Sequence, residues 1–141
     1  MEWIGVPSKI EDWEAFVYEI THIKTGKKYI GKKVFWSKRR LKPLKGYKRK
    51  RIVKTESDWK TYWGSSKKLQ ADVKKWGEDE FKREIIHLCK TRVDSSYIEL
   101  WEQIDRDVLF DDKYYNEFIG VKLNSKWFKV KPNIYKERRT I

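Results

Sequence analysis

The chain has 141 residues, 39% hydrophobic and 39% charged, with eight Trp, eight Tyr and six Phe, which suits one domain with a core and is too short for two ordinary ones. No stretch approaches the roughly 18 uncharged apolar residues of a spanning helix, and the single cysteine, Cys89, excludes a disulfide scaffold and a cysteine-based zinc site. The net charge of +13 is segregated: residues 20–55 hold fifteen Lys or Arg and no acid, and residues 121–141 hold seven against Glu137 alone, the footprint expected of a nucleic-acid binder.

Residues 1–15 read as an arm or short helix. They lack the charged and apolar regions of a signal peptide, so an intracellular, soluble protein is expected. FVYEITHI (16–23) and KYIGKKVF (28–35) are β-rich and flank Lys24-Thr25-Gly26-Lys27, a turn with Gly where a positive φ is needed. Residues 37–57 follow as a basic insertion with Pro43 and Gly46, read as an exposed loop with a short helical start at 37–41. Its run Lys48-Arg49-Lys50-Arg51 is a candidate DNA grip. Ser65-Ser66 caps a helix over 67–76, with Leu69, Val73 and Trp76 as its stripe and Gly77 as its stop. Phe81–Cys89 is a third strand, and Ser96 opens a second helix with Leu100, Ile104 and Val108 buried. The tail, 121–141, offers Lys126, Trp127, Lys129 and Lys131 as further nucleic-acid contacts, with Phe128 and Tyr135 among them. The fold expected is α+β: a small, three-stranded antiparallel sheet flanked by helices, spanning 16–120 between the arm and the tail.

A two- or four-residue turn pairs positions whose numbers sum to 51, so Tyr18 faces Lys33, Ile20 faces Gly31 and His22 faces Tyr29. Tyr18, His22, Tyr29 and Lys33 then share one face. Gly31 lies among them and leaves room for a close approach to the backbone. Two phenols, an imidazole, an ammonium and a gap suit a site that receives a phosphate. Tyrosine is also simply a good strand former, so the plain alternative is packing.

Val17-Tyr18, ten residues, then Tyr29-Ile30-Gly31 resembles the signature of the GIY-YIG nucleases, with Phe16 and Val17 standing where Gly and Ile are usual. SDWKTYWGSS (57–66), LQADVKKWGEDEFKREIIHLC (69–89), YIE (97–99) and YYN (114–116) extend the likeness to small, phage-encoded, Seg-like free-standing homing endonucleases. The resemblance implies a metal-dependent endonuclease acting on double-stranded DNA with one Mg²⁺ or Mn²⁺ ion, located in the host cytoplasm. It also implies the site: Tyr18 and Tyr29 as the paired tyrosines, Glu99 as metal ligand and Asn116 as the supporting Asn. Arg39, with Arg40 beside it, fits the Arg on the helix after YIG, and Lys33 is a second phosphate contact. The histidine many members carry one turn after that Arg has no local counterpart; His22 is on the hairpin and His87 is mid-strand.

Several alternatives stand beside this. Ser96-x-x-Glu99 is a capping box, so Glu99 can be a helix cap. Glu102, one turn on, is a rival ligand or an i,i+4 partner of Arg106. The whole chain can equally be a non-catalytic, basic nucleic-acid-binding module or an inactivated nuclease fold. Monomer and DNA-induced dimer both remain open.

Overall fold

The computed structural model describes residues 2–132; Tyr135 and the end of the tail lie outside them. Five strands and two helices run β1 (Ala15–His22), β2 (Lys28–Val34), β3 (Trp36–Leu41), β4 (Arg51–Glu56), α1 (Lys67–Trp76), β5 (Phe81–Cys89) and α2 (Arg92–Asp105). The architecture is α+β, as expected, with an antiparallel sheet in the order β2-β1-β5. β1 is central and buried along its whole length, so it carries side chains into cores on both faces. Phe16, Tyr18 and Ile20 pack with Phe35, Trp59, Leu69 and Phe81 on the α1 side. Ala15, Val17, Ile30, Cys89 and Ile98 pack on the α2 side.

The hairpin register is two residues from the expected one. Ala15 pairs with Val34, Tyr18 with Gly31 and Ile20 with Tyr29, because the chain uses a five-residue connection closed by His22 N to Lys27 O (2.8 Å) and Gly26 N to His22 O (2.8 Å). Gly26 has the expected positive φ, +77°. A slip of two leaves every side chain on its face, so Tyr18, His22, Tyr29, Gly31 and Lys33 still share one side.

The basic insertion departs from the sequence reading. It is a two-stranded antiparallel ribbon, β3 against β4, rather than a loop with a helical start. Lys38 and Lys54 face each other, a repulsive pairing, but Glu14 reaches both, Oε1 to Lys38 (3.1 Å) and Oε2 to Lys54 (3.4 Å). Trp36 Nε1 donates to Trp13 O (2.9 Å) and Ser57 Oγ to Val34 O (2.6 Å). The base is therefore pinned to the domain.

α1 begins and ends as expected, with Ser66 Oγ accepting from Leu69 N and Gly77 at the stop. α2 does not. Thr91 caps it by accepting from Asp94 N (3.1 Å), so the helix starts four residues before Ser96, and Ser96 and Glu99 lie in its interior. The expected stripe holds only in part: Val108 is buried but lies beyond the helix end, Leu100 is half-buried and Ile104 is 59% exposed, and the buried positions within α2 are Ser95, Ile98, Glu102 and Gln103. The N-terminal arm covers the outer edge of β5, with Ile4 bonded to Arg83 O and Ile85 N (both 2.8 Å) and Trp3 in the core. Arg83 is buried between the Trp3 and Trp63 rings (4.6 and 4.2 Å) and donates to Tyr62 O (2.6 Å).

Candidate active site

Because Tyr18 pairs with Gly31, its ring lies over backbone that carries no side chain. A Cβ on Gly31 would stand 2.6 Å from Tyr18 Cζ and 2.9 Å from Tyr29 Cε2, contacts that only glycine avoids. Gly64 closes the other side: its φ is +83°, and a Cβ there would sit 3.3 Å from Tyr18 Oη and 3.2 Å from Tyr29 Cε2. The two tyrosine rings are 6.2 Å apart, and Tyr62 meets Tyr18 edge-on at 6.1 Å. Tyr18 is 1% exposed. Burial, with the neighbouring phenols and Glu99 adding to it, pushes its hydroxyl well above the usual tyrosine range. Tyr29 is half-buried and shares a hydrogen bond with Ser65 Oγ (3.0 Å). Burial raises its pKa too, against the opposing pull of Ser65. Both phenols are therefore protonated at neutral pH.

Tyr29 opens into a cleft of about 490 Å³ walled by Ser65, Ser66, Lys67 and Lys68 of the α1 start, Glu99 and Gln103 of α2, and the 115–120 segment. The Lys32 backbone N–H and ammonium both favour the charged form of Glu99, yet burial prevails over them and the carboxyl is raised to about 7. The capping alternative for Glu99 is removed by the Thr91 cap. Asn116 is buried and clamps Ile30 from outside the sheet: Oδ1 accepts from Ile30 N (3.1 Å) and Nδ2 donates to Ile30 O (2.9 Å), which Gln103 Nε2 also reaches (3.1 Å). The side chain thus acts as a neighbouring strand would. It fixes the peptide between Tyr29 and Gly31 and is a positioning residue.

The remaining candidates lie elsewhere. Arg39 and Arg40 are exposed on β3, a strand and not a helix, and neither lines the cleft. The local reason is the ribbon, which occupies the stretch where a helix after YIG was expected. Lys33 is engaged, 2.6 Å from Asp58 and 4.1 Å over the Tyr62 ring. His22 stacks on Phe81 (4.5 Å) with Nδ1 at 3.0 Å from Thr25 Oγ1, and lies outside the cleft lining. Glu102 is 1% exposed and bonded to His87 Nε2 (3.0 Å) and Arg106 Nε (2.8 Å); Arg106 continues to Glu19, which Lys28 also holds (2.8 Å). Burial alone would raise Glu102, but hydrogen bonds from His87 and Arg106 outweigh it and hold the carboxyl below its ordinary range. Lys48, Arg49, Lys50 and Arg51 are exposed at and beside the ribbon tip, and Lys126, Trp127, Lys129 and Lys131 are exposed on the tail. Among the described residues no cluster of three or more His, Cys, Asp or Glu side chains could hold a metal. A lone carboxylate facing an open cleft still fits Mg²⁺, which keeps several waters and takes one or two protein carboxylates beside substrate phosphate.

Residues 4–119 match the family model described as "Putative endonuclease segE, GIY-YIG domain". The chain belongs to this GIY-YIG family. It is similar to the protein described as "Putative endonuclease segE" of Enterobacteria phage T4, 33% identical over 101 residues. That alignment covers 72% of this chain and 39% of the phage protein, so the chain spans about two-fifths of its relative's length. No solved structure matches. Within this GIY-YIG domain, sequence reasoning missed Ser65, Lys67 and Gln103 as cleft residues. The one available signal was Gly64-Ser65-Ser66 directly before a helix, read only as a cap. No described helix is long and apolar enough to cross a membrane.

Proposed function

We propose that this chain is an endonuclease that hydrolyses phosphodiester bonds of double-stranded DNA in the cleft between Tyr29 and Glu99, in the role of a free-standing homing enzyme. The observation carrying this reading is the convergence, in one cleft beside β2, of the protonated Tyr29 phenol backed by the buried Tyr18, one carboxyl without an ion-pair partner among the described residues, and the cations at the start of α1. Hydrolysis adds a water oxygen to phosphorus, breaks one P–O ester bond and leaves an alkoxide that must take a proton.

The chain's own groups divide that task. Tyr29, held by Ser65, is aimed across the cleft and orients a water or a phosphate oxygen through its hydroxyl. Tyr18 is too buried to act as a phenolate base, so it supports the Tyr29 ring between the two glycines. Lys68 pairs with Glu117 (2.9 Å), which leaves Lys67 as the cleft cation for the scissile phosphate, the task assigned above to Arg39. Glu99 would hold the single Mg²⁺ or Mn²⁺ ion. That ion would supply charge stabilisation to the phosphoryl oxygens. Lys48, Arg49, Lys50 and Arg51, with the tail lysines, would contact flanking phosphates.

The test is nicking of supercoiled plasmid by the full chain with Mg²⁺ and with EDTA, beside Tyr29→Phe and Glu99→Gln. Cleavage that needs Mg²⁺ and falls in both variants supports the reading. Tight DNA binding with no cleavage under any condition leaves a binding module and ends it.

A further inference from the structure

The β3–β4 ribbon has a shape and charge that the cleft does not use. Its 21 residues from Trp36 to Glu56 include ten cations and one acid. Two antiparallel strands lie about 4.8 Å apart, so with side chains the ribbon is about as wide as the B-DNA major groove, and six residues extend over roughly 20 Å, some six base pairs. An isolated two-stranded ribbon is marginal in water, and one carrying this much like charge is opposed by its own repulsion. A polyanion relieves that.

The two faces differ. On one face Trp36, Lys38 and Lys54 turn onto Trp13 and Glu14 and anchor the base, while Arg40 and Ile52, further out, are exposed. The register puts Ser37 beside Thr55, Arg39 beside Val53 and Leu41 beside Arg51 on the opposite face. Among the described residues no side-chain hydrogen bond or ion pair ties that face to the domain; Arg51 Nε reaches only Lys42 O (3.4 Å), within the ribbon. It thus presents two exposed arginine forks and two exposed hydroxyls, with two half-buried apolar side chains between them. Arginine pairs bidentately with guanine, hydroxyls serve any base edge, and apolar groups meet the thymine methyl. A run of solvated lysines would serve phosphate contact alone.

We propose that the ribbon enters the major groove of duplex DNA with the face carrying Ser37, Arg39, Leu41, Arg51, Val53 and Thr55 against the base edges, giving the cleft its sequence preference. This rests on the reading of the chain as a DNA endonuclease only for its purpose, since the contact itself is one of binding. RNA duplexes are excluded as the partner because their major groove is too deep and narrow to be read.

The experiment selects bound sequences from a randomised DNA duplex pool with the full chain in EDTA, beside Arg39→Lys and Arg51→Lys, which keep charge and lose the fork. Wild type should enrich sites containing guanine, and each variant should flatten preference at one position by about tenfold or more, the scale of a lost bidentate contact. The slope of affinity against salt, which counts charges, should stay the same. A duplex with bulky 5-substituted pyrimidines, blocked in the major groove alone, should bind at least about tenfold more weakly. Equal binding to the blocked duplex, or identical preferences in wild type and both variants, overturns the proposal. If selection succeeds but plasmid is never nicked with Mg²⁺, the endonuclease reading falls and the groove contact stands.

Discussion

Glu99 and Glu102 lie one turn apart on α2, both largely withdrawn from water, and the protein treats them in opposite ways. On the Glu102 side, His87, Arg106, Glu19 and Lys28 form a continuous chain of hydrogen bonds and ion pairs, and the carboxylate is held ionised. On the Glu99 side, the carboxyl meets the Lys32 N–H and is raised to about 7. A buried charge is costly unless it is paired. The internal counter-charges have therefore gone to the frame, and among the described residues the carboxyl on the cleft has no ion-pair partner. Pairing, more than burial, separates the structural Glu102 from Glu99, the acid proposed to hold the metal.

Glu99→Gln should break the contrast most severely: plasmid nicking is expected to fall on the order of 10³-fold, as when a main charge-stabilising group is lost. The thermal midpoint at pH 8 should rise rather than fall. Glu102→Gln should do the reverse. Stability in urea should drop by about 2 kcal/mol, below the usual cost of breaking a buried pair because Arg106 keeps Glu19, while the folded fraction still cuts. If Glu102→Gln is dead and fully stable while Glu99→Gln cuts normally, the assignment of the two sides is wrong.

Tyr29→Phe keeps the ring and removes the hydroxyl bonded to Ser65, so about a 10²-fold loss of rate is expected with little change in melting. The pH dependence sharpens the comparison further. A carboxyl raised to about 7 is mostly neutral below that pH, so nicking at limiting Mg²⁺ should climb through about pH 6–8 and level off above that. The stability it contributes is present at low pH and lost as pH rises through 7, whereas Glu102, held low, contributes stability above the ordinary carboxyl pKa and loses it as pH falls. Glu99→Gln should remove the first loss and leave the second. The smallest effect is that of Lys67→Ala, which should lower the slope of log affinity against log salt by about one.

The tyrosine face was legible in the sequence although the turn was not. Strand side chains repeat every two residues, so a two-residue error in register moved no residue across the sheet. α1 was legible to the residue because Ser66 and Gly77 both carry strong end signals. α2 misled because its buried stripe, with Ser95, Glu102 and Gln103 around Ile98, is largely polar and invisible to a search for apolar periodicity. Thr91-x-x-Asp94 is as good a helix start as Ser96. The ribbon was hidden by its charge: lysines opposite each other disfavour pairing, and only Glu14, from another part of the chain, makes Lys38 and Lys54 compatible. Arg39 lies on that ribbon instead of on a helix. Long-range compensation of that kind has no local signal.

The outer edge of β2 has one more consequence. Its backbone groups are taken in turn by Lys113 O and Tyr115 N at Lys28, by Asn116 and Gln103 at Ile30, and by Glu99 at Lys32. An uncovered edge is a template for the strand of another molecule. Asn116 occupies the backbone groups at Ile30 that a strand of another copy would need. Asn116→Ala would bare the middle of that edge, and concentrated or warmed samples of it should form β-rich aggregates where the parent protein stays dispersed.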